Sequence, residues 1–458
     1  MASKRRRDLT SDPIFPTLIA FALPTLGASV LQSLNSSINA IWVGHILGKE
    51  ALAATANGNI MIGTLLGFVL GFGMAATILI GQAVGRRDIA AARRTLGTTF
   101  GFFTLAILLL AAITWQTTET MLRWMATPDS FFPYAFDYLR VTCLAMPGTL
   151  LLTLMMTALR GTGDSVTPLW FMILSVLLCL ALNPLFILGF GPIPPMGIAG
   201  SATANLVANY VSFLGIVVYI YARDLPLRLR GHEWTYLWPD WSLLGVIVRK
   251  GGAMGLQMIV VTSSAVLMMG LANRYGVDTV AAYGVTQQLW IYVALPATAL
   301  SVAVSTMVAQ NIGAGHWDRV SQITRAALWC NLVSTGALVA LLTLFDRAMV
   351  SIFLPGDSPA VPIAEHIQLI ASWGFIFYGG ALVLFGTVRA NGEVMWPLII
   401  LTFAMYAIRV GMGFGLQDWL GADAIWLSFS SGMLVTAILG SILYLHGGWR
   451  RKSMMAGR

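Results

Sequence analysis

Apolar residues run through this chain in long blocks separated by short charged turns. A helix rising 1.5 Å per residue needs about 20 apolar residues to cross the hydrocarbon of a bilayer. Twelve runs reach that scale, at 14–44, 52–80, 95–116, 133–159, 166–190, 197–222, 246–273, 280–310, 324–350, 367–388, 397–417 and 424–446. The first follows Lys4, Arg5, Arg6 and Arg7 as the core of a signal peptide would. It is too long for that role and eleven more runs follow, so it reads as a retained helix.

Composition narrows the class. Of 458 residues, 57% are hydrophobic and 10% charged, against about 25% charged in soluble domains. The pattern predicts an all-α polytopic membrane protein with twelve transmembrane helices. The three cysteines, Cys143, Cys179 and Cys330, lie scattered in apolar stretches, with no metal or redox spacing. HExxH, GxSxG and phosphate-loop signatures are absent, and no nucleophile and base face each other at depth. The expectation is a protein that is not an enzyme and has no metal site or cofactor.

The placement of charge sets an orientation. Connections grouped with the two termini carry 21 Lys and Arg residues, whereas the opposite connections carry only Lys49, Arg123, Arg274 and Arg347. By the positive-inside rule both termini are cytoplasmic. The net charge of +8 is then mainly a topological signal, and no basic stretch has the interleaved aromatics of a nucleic-acid surface.

The two halves repeat. Gly81-Gln82-Ala83-Val84-Gly85 returns 228 residues later as Ala309-Gln310-Asn311-Ile312-Gly313. The turn Arg160-Gly161-Thr162-Gly163-Asp164 with Pro168 returns at 229 as Arg389-Ala390-Asn391-Gly392-Glu393 with Pro397. Six helices is an even number, so both halves enter the membrane in the same direction as parallel repeats. The expected organisation is an N-lobe over 1–222, a linker over 223–245 and a C-lobe over 246–458. Trp234, Trp238 and Trp241 with the linker arginines favour an interfacial element over a plain loop.

Polar residues inside the spans carry the candidate chemistry. Gln32, Asn35, Ser36 and Asn39 stand at i, i+3, i+4 and i+7 on one face of the first helix. Asn205 and Asn209, with Ser201 and Ser212, form a stripe in the sixth; Gln257 and Ser264 lie in the seventh, Gln288 and Tyr292 in the eighth. Amides facing lipid are costly, so these residues line a cavity or join helices. Pro24, Gly27 and Pro184 are candidate hinges, each also readable as a static kink. Gly63, Gly67 and Gly71 form a ridge of small residues. Arg409 lies twelve residues past Pro397, about 18 Å along the helix, and a charge at that depth marks a functional candidate. Arg140 has Asp137 three residues away as its expected partner.

These features resemble the multidrug and toxic compound extrusion (MATE) family. The resemblance rests on Pro24 to Gly44 ending Val43-Gly44-His45, the two pairs of repeated turns, and Asn183-Pro184-Leu185-Phe186-Ile187-Leu188-Gly189. It implies a V-shaped pair of six-helix lobes and export of drugs or metabolites by alternating access, with Na+ or H+ as the possible coupling ion. Members usually carry an aspartate where this chain has Asn39, and many have one where it has Asn183; Gln32 matches, and Arg409 matches a basic residue often found in the eleventh helix. Acids that some relatives place in helices 7 and 10 lack a counterpart, Glu365 being the nearest. An amide has no useful pKa and offers a cation only a neutral oxygen. The expectation is therefore a plasma-membrane efflux transporter, in the inner membrane if bacterial, with no obligate protein partner. Its coupling would run through neutral oxygens of Gln32, Asn35, Asn39 and Asn183, through another site, or not at all. The alternatives are a lipid-linked saccharide flippase of the same superfamily and a non-transporting receptor or scaffold.

Overall fold

The computed structural model describes residues 8–124, 132–190, 194–354 and 358–454. The first six apolar runs become α1 (Ile14–Leu47), α2 (Lys49–Gly85), α3 (Ile89–Trp124), α4 (Phe132–Gly161), α5 (Val166–Leu188) and α6 (Ile198–Ala222). A 3-10 turn over Gly231–Leu237 precedes α7 (Trp241–Ala272), α8 (Val277–Gly313), α9 (Trp317–Leu344) and the short α10 (Asp346–Ser351). The tenth run is a bent pair, α11 (Ala360–Ala371) and α12 (Gly374–Ala390), meeting at 48°. The eleventh starts as α13 (Met395–Thr402), passes through a π-helical stretch at Phe403–Val410 and ends as α14 (Gly411–Gly415); α15 (Gln417–Leu420) and α16 (Asp423–His446) complete the chain. Ten of these helical stretches are long and apolar enough to cross a membrane, and the bent pair makes an eleventh. The 37-residue α2 supplies the remaining run.

Close packing sorts the chain into two compact units, 27–252 and 1–26 together with 253–458. The chain passes between them inside two continuous helices, at Leu26/Gly27 in α1 and at Gly252/Ala253 in α7. The first crossing falls three residues after Pro24. The unit containing 253–458 also holds the N-terminal segment: Asn311 donates to the Leu9 carbonyl at 3.0 Å and Arg319 to the Asp12 carbonyl at 2.7 Å.

The internal repeat is visible in the backbone. Gly48 and Gly276 precede α2 and α8 with φ of 86° and 96°, and Gly163 and Gly392 turn with φ of 90° and 88°. Asp164 caps α5 by accepting from the Thr167 amide at 2.9 Å, and Glu393 accepts from the Trp396 amide at 3.4 Å. A further correspondence is hard to see in the sequence. Gly197 (φ 55°, ψ −131°) and Gly421 (φ 58°, ψ −133°) make the same turn before α6 and α16.

In unit 27–252, α4 is the central helix, buried over most of its length. Glycine lets α2 approach it: a Cβ on Gly73 would meet Thr157 Oγ1 at 2.7 Å, and one on Gly161 would meet the Thr77 carbonyl at 2.8 Å. Thr77 fixes that contact by donating to the Thr157 carbonyl at 2.8 Å. Of the expected ridge, Gly71 is closely approached, since a Cβ on Gly251 would meet its carbonyl at 3.1 Å, whereas nothing lies within 4 Å of a Cβ at Gly63.

The linker docks on α3 of the same unit. Arg93 pairs with Glu233 at 2.8 Å and donates to the Pro226 carbonyl at 2.9 Å, and Arg94 pairs with Asp240 at 2.8 Å. A Cβ on Gly97 would meet Tyr236 at 2.6 Å, so the contact depends on bare backbone there. Trp234, Trp238 and Trp241 remain exposed. The predicted Arg140–Asp137 pair does not form. The Arg140 guanidinium lies over the rings of Phe136, at 4.6 Å, and Trp115, at 4.9 Å, because two ring faces attract the cation while an exposed ion pair gains little.

Candidate functional site

The stripe on α1 becomes one wall of a cavity of about 180 Å³ inside unit 27–252. Gln32, Asn35, Ser36 and Asn39 face it from α1, and Asn205 and Asn209 face it from α6. The far wall comes from α4 and α5: Tyr138, Thr142, Thr149, Thr153 and Ser175, with Met146, Met156 and Met172 between them. Among the described residues, none that lines it is an acid, a base or a histidine.

A hydrogen-bond chain runs behind this surface. Tyr138 shares hydrogen bonds with Thr142 and Asn39. Ser201 donates to Asn39 Oδ1 at 2.6 Å, and the Asn205 amide donates to the Ser201 carbonyl at 3.3 Å. Cys179 Sγ then donates to Asn205 Oδ1 at 3.5 Å, and Asn183 Nδ2 approaches Cys179 Sγ at 3.2 Å and its carbonyl at 2.9 Å. Asn39 and Asn183, the two positions at which the resemblance expects carboxylates, therefore belong to one network. A second branch ties Ser175 to Asn209 at 3.0 Å and Asn209 to Thr149 at 2.9 Å.

Two buried acceptors, Asn35 Oδ1 and Asn183 Oδ1, have no donor among the described residues. Each such atom costs about 1–3 kcal/mol, and Asn35 Oδ1, on the cavity wall, is available to a hydrogen-bonding guest. Asn183 is fully buried and lies behind the cavity rather than on its lining.

The other sequence candidates belong to unit 1–26/253–458. Gln257 is buried and donates to the Val394 carbonyl at 3.3 Å, which ties α7 to the start of α13. Ser264 donates to the Met405 carbonyl at 3.3 Å. Gln288 and Tyr292 sit one turn apart on α8, both half-buried.

Arg409 is buried in the π-helical stretch. Its guanidinium carbon lies 3.6 Å from the centroid of the Phe429 ring and Nη1 reaches Met405 Sδ at 3.6 Å, while Nε has no partner. A buried guanidinium costs several kcal/mol and one cation–π contact returns about 2, so a single ring does not balance it. Tyr283 adds a side-chain hydrogen bond to the guanidinium. Gln287 holds Tyr283 with a 2.5 Å hydrogen bond, and Trp290, Trp426 and Phe429 surround that ring. Gly432 makes room, since a Cβ there would stand 3.3 Å from Arg409 Cβ.

The repeats thus share a backbone and differ in chemistry. At the offset of 224 set by Gly197 and Gly421, Asn205 corresponds to Phe429 and Asn209 to Met433. Where one unit has a cavity lined by amides and hydroxyls, the other has packed aromatics around a guanidinium. The α4 residues on the cavity were legible as spacings of four, seven and four from Tyr138 through Thr142 and Thr149 to Thr153, but threonine in a membrane helix also bonds its own backbone, as Thr149 and Thr153 do. Cys179 carried no spacing signal at all.

Repeated six-helix units and a polar chamber within the span define a membrane transporter of small molecules. Comparison with known proteins gives the family: a sequence model of the MatE family matches residues 24–185 and 253–414, one match in each repeat. The chain belongs to that family. It is 33% identical to the probable multidrug resistance protein YoeA of Bacillus subtilis (strain 168), over 96% of this chain and 95% of that one. It is 28% identical to the FAD transporter of Shewanella oneidensis over 87% of each chain. The crystal structure of MATE in complex with MaL6 superposes with a TM-score of 0.88 at 18% identity, covering 97% of this chain and 98% of that one, which shows a shared fold.

Proposed function

We propose that this chain is a secondary active exporter of small organic compounds, working by alternating access, and that its coupling does not use a proton held at the Asn39 or Asn183 positions. One observation carries this reading: among the described residues, the polar groups of the cavity and of the network behind it are amides, hydroxyls, a phenol and a thiol, with no carboxylate. Such groups bind a guest by hydrogen bonds and do not change charge over the range in which aspartate titrates. Antiport with Na+ remains chemically available through neutral oxygens, among them the uncommitted Asn35 Oδ1.

The cargo follows the same logic. With Arg409 the deep charge and no acid on the cavity, neutral, zwitterionic or anionic compounds are favoured over dications. The resemblance to a protein named for FAD, a diphosphate, supports that direction. A lipid-linked saccharide flippase has less support, because a single buried arginine is a sparse basic lining for a diphosphate-linked sugar. The excess of basic residues on one set of connections supports cytoplasmic termini, and the bacterial relatives support the inner membrane.

Purified protein in liposomes tests the proposal, with Na+ and pH gradients imposed separately while flux of anionic, neutral and dicationic compounds is followed. Flux of anionic or neutral compounds with no response to the pH gradient is expected. Stoichiometric exchange of a proton for a dication would overturn it.

A further inference from the structure

The end of unit 1–26/253–458 that carries the C-terminal residues has a groove of about 540 Å³ lying apart from the polar cavity. Its wall is apolar and comes from membrane-spanning helices: Trp396, Ile399 and Phe403 from the α13 segment, Leu439, Ile442 and Leu443 from α16. Trp396, Ile399, Phe403 and Ile442 are about half exposed. The polar residues gather at one end, where His446, Lys452 and Glu393 close the groove.

That polar end is rigidly built. Asn391 Nδ2 donates to the carbonyls of Trp449, Arg450 and Lys452 at 2.9, 3.2 and 2.8 Å. Trp449 is buried, stacks on Tyr444 at 5.7 Å and donates to the Tyr444 carbonyl at 3.0 Å. The turn after α16 therefore holds its basic residues in place. Arg450, Arg451 and Lys452 are all exposed. Glu393 is buried beneath Lys452, with its carboxylate 3.8 Å from the ammonium, so the surface presented outward is positive.

We propose that this groove binds one anionic glycerophospholipid, with an acyl chain along the α13–α16 wall and its phosphate against Lys452. The wall lies at the depth of the hydrocarbon, where a soluble partner cannot reach. The positive charge of the turn complements a phosphate. Glu393 orients Lys452 from behind and limits how tightly it holds the anion.

Native mass spectrometry of the detergent-purified full chain tests this, with dioleoyl phosphatidylglycerol and dioleoyl phosphatidylcholine as matched probes. Wild type is expected to retain the glycerol lipid about tenfold more tightly, the scale of one charge-assisted contact. Lys452→Ala should abolish the preference, lowering phosphatidylglycerol retention far more than phosphatidylcholine retention, and Glu393→Gln should increase it. Leu443→Trp should reduce retention of both lipids. Should that variant fail to fold, quenching by brominated-chain phosphatidylglycerol that diminishes in Trp396→Phe reads the same contact. Equal retention of both lipids by wild type, a preference that survives Lys452→Ala, or a dimer lost on filling the groove would each overturn the proposal.

Discussion

The Ser201 hydroxyl donates to Asn39 Oδ1 across 2.6 Å, joining α6 to α1 at the most buried residue of the amide stripe. An aspartate placed there would accept the same hydrogen bond and could also titrate. Asn39→Asp is therefore expected to fold and to give flux a pH dependence that wild type lacks. Flux in proteoliposomes at several pH values checks this, and an unchanged profile would reduce Asn39 to a packing role.

Arg409 depends on Phe429 for its closest contact. Phe429→Leu removes the ring face and leaves the guanidinium buried, with an expected loss of about 2 kcal/mol. Arg409→Lys should not rescue function, because an ammonium is more strongly hydrated and cannot stack as a plane. Thermal denaturation in detergent reads the first effect; competition by anionic compounds in the flux assay reads the second.

The linker should detach from α3 when the bare backbone is filled. A Cβ on Gly101 runs into the Leu237 backbone, so Gly101→Leu is expected to cost a few kcal/mol in overpacking. Arg93→Gln removes one partly buried ion pair and should cost less, about 1 kcal/mol. Limited proteolysis between 223 and 240 distinguishes the two, with rapid cleavage expected in the glycine variant.

Acid should loosen the same contact. Burial works to raise the pKa of Glu233 and Asp240, but it is outweighed in Glu233 by hydrogen bonds from Arg93 and the Arg230 amide with the Arg93 charge, and in Asp240 by hydrogen bonds from Ser242 and the Leu243 amide with the Arg94 charge, leaving both carboxyls below the usual carboxylate range. A depressed folded pKa contributes stability that is present above the unfolded value and disappears as pH falls through the folded value. Linker cleavage should therefore be constant near neutrality and accelerate only at pH below the ordinary carboxylate range. Acceleration at pH 6 would contradict this assignment.

Arg87 turns with φ of 61°, while its repeat counterpart Gly315 turns with φ of 78°. The left-handed region costs a residue with a Cβ about 1–2 kcal/mol, and glycine recovers it less the greater freedom of its unfolded chain. Arg87→Gly is expected to raise the thermal midpoint slightly or leave it unchanged. A clear drop would show that the Arg87 side chain contributes an interaction of its own.

Much of this protein was legible from local pattern. The apolar runs anticipate each helix to within a few residues at most ends, and the offset of 228 to 229 anticipates paired turns whose dihedral angles agree. One misreading concerned Arg140, whose guanidinium lies over the rings of Phe136 and Trp115 instead of pairing with the nearby Asp137.

Sequence by itself determined the spans, the repeat and the absence of a carboxylate from the middle of the helices, because hydropathy and residue identity are properties of short segments. Tertiary structure decided which polar faces meet. It placed Tyr138 and the threonines of α4 opposite the α1 amides, connected Asn39 to Asn183 through Ser201, Asn205 and Cys179, and covered Arg409 with Phe429. Those outcomes depend on helix rotation and crossing, which are set by side-chain packing over the whole unit and leave no periodic signature in any single helix.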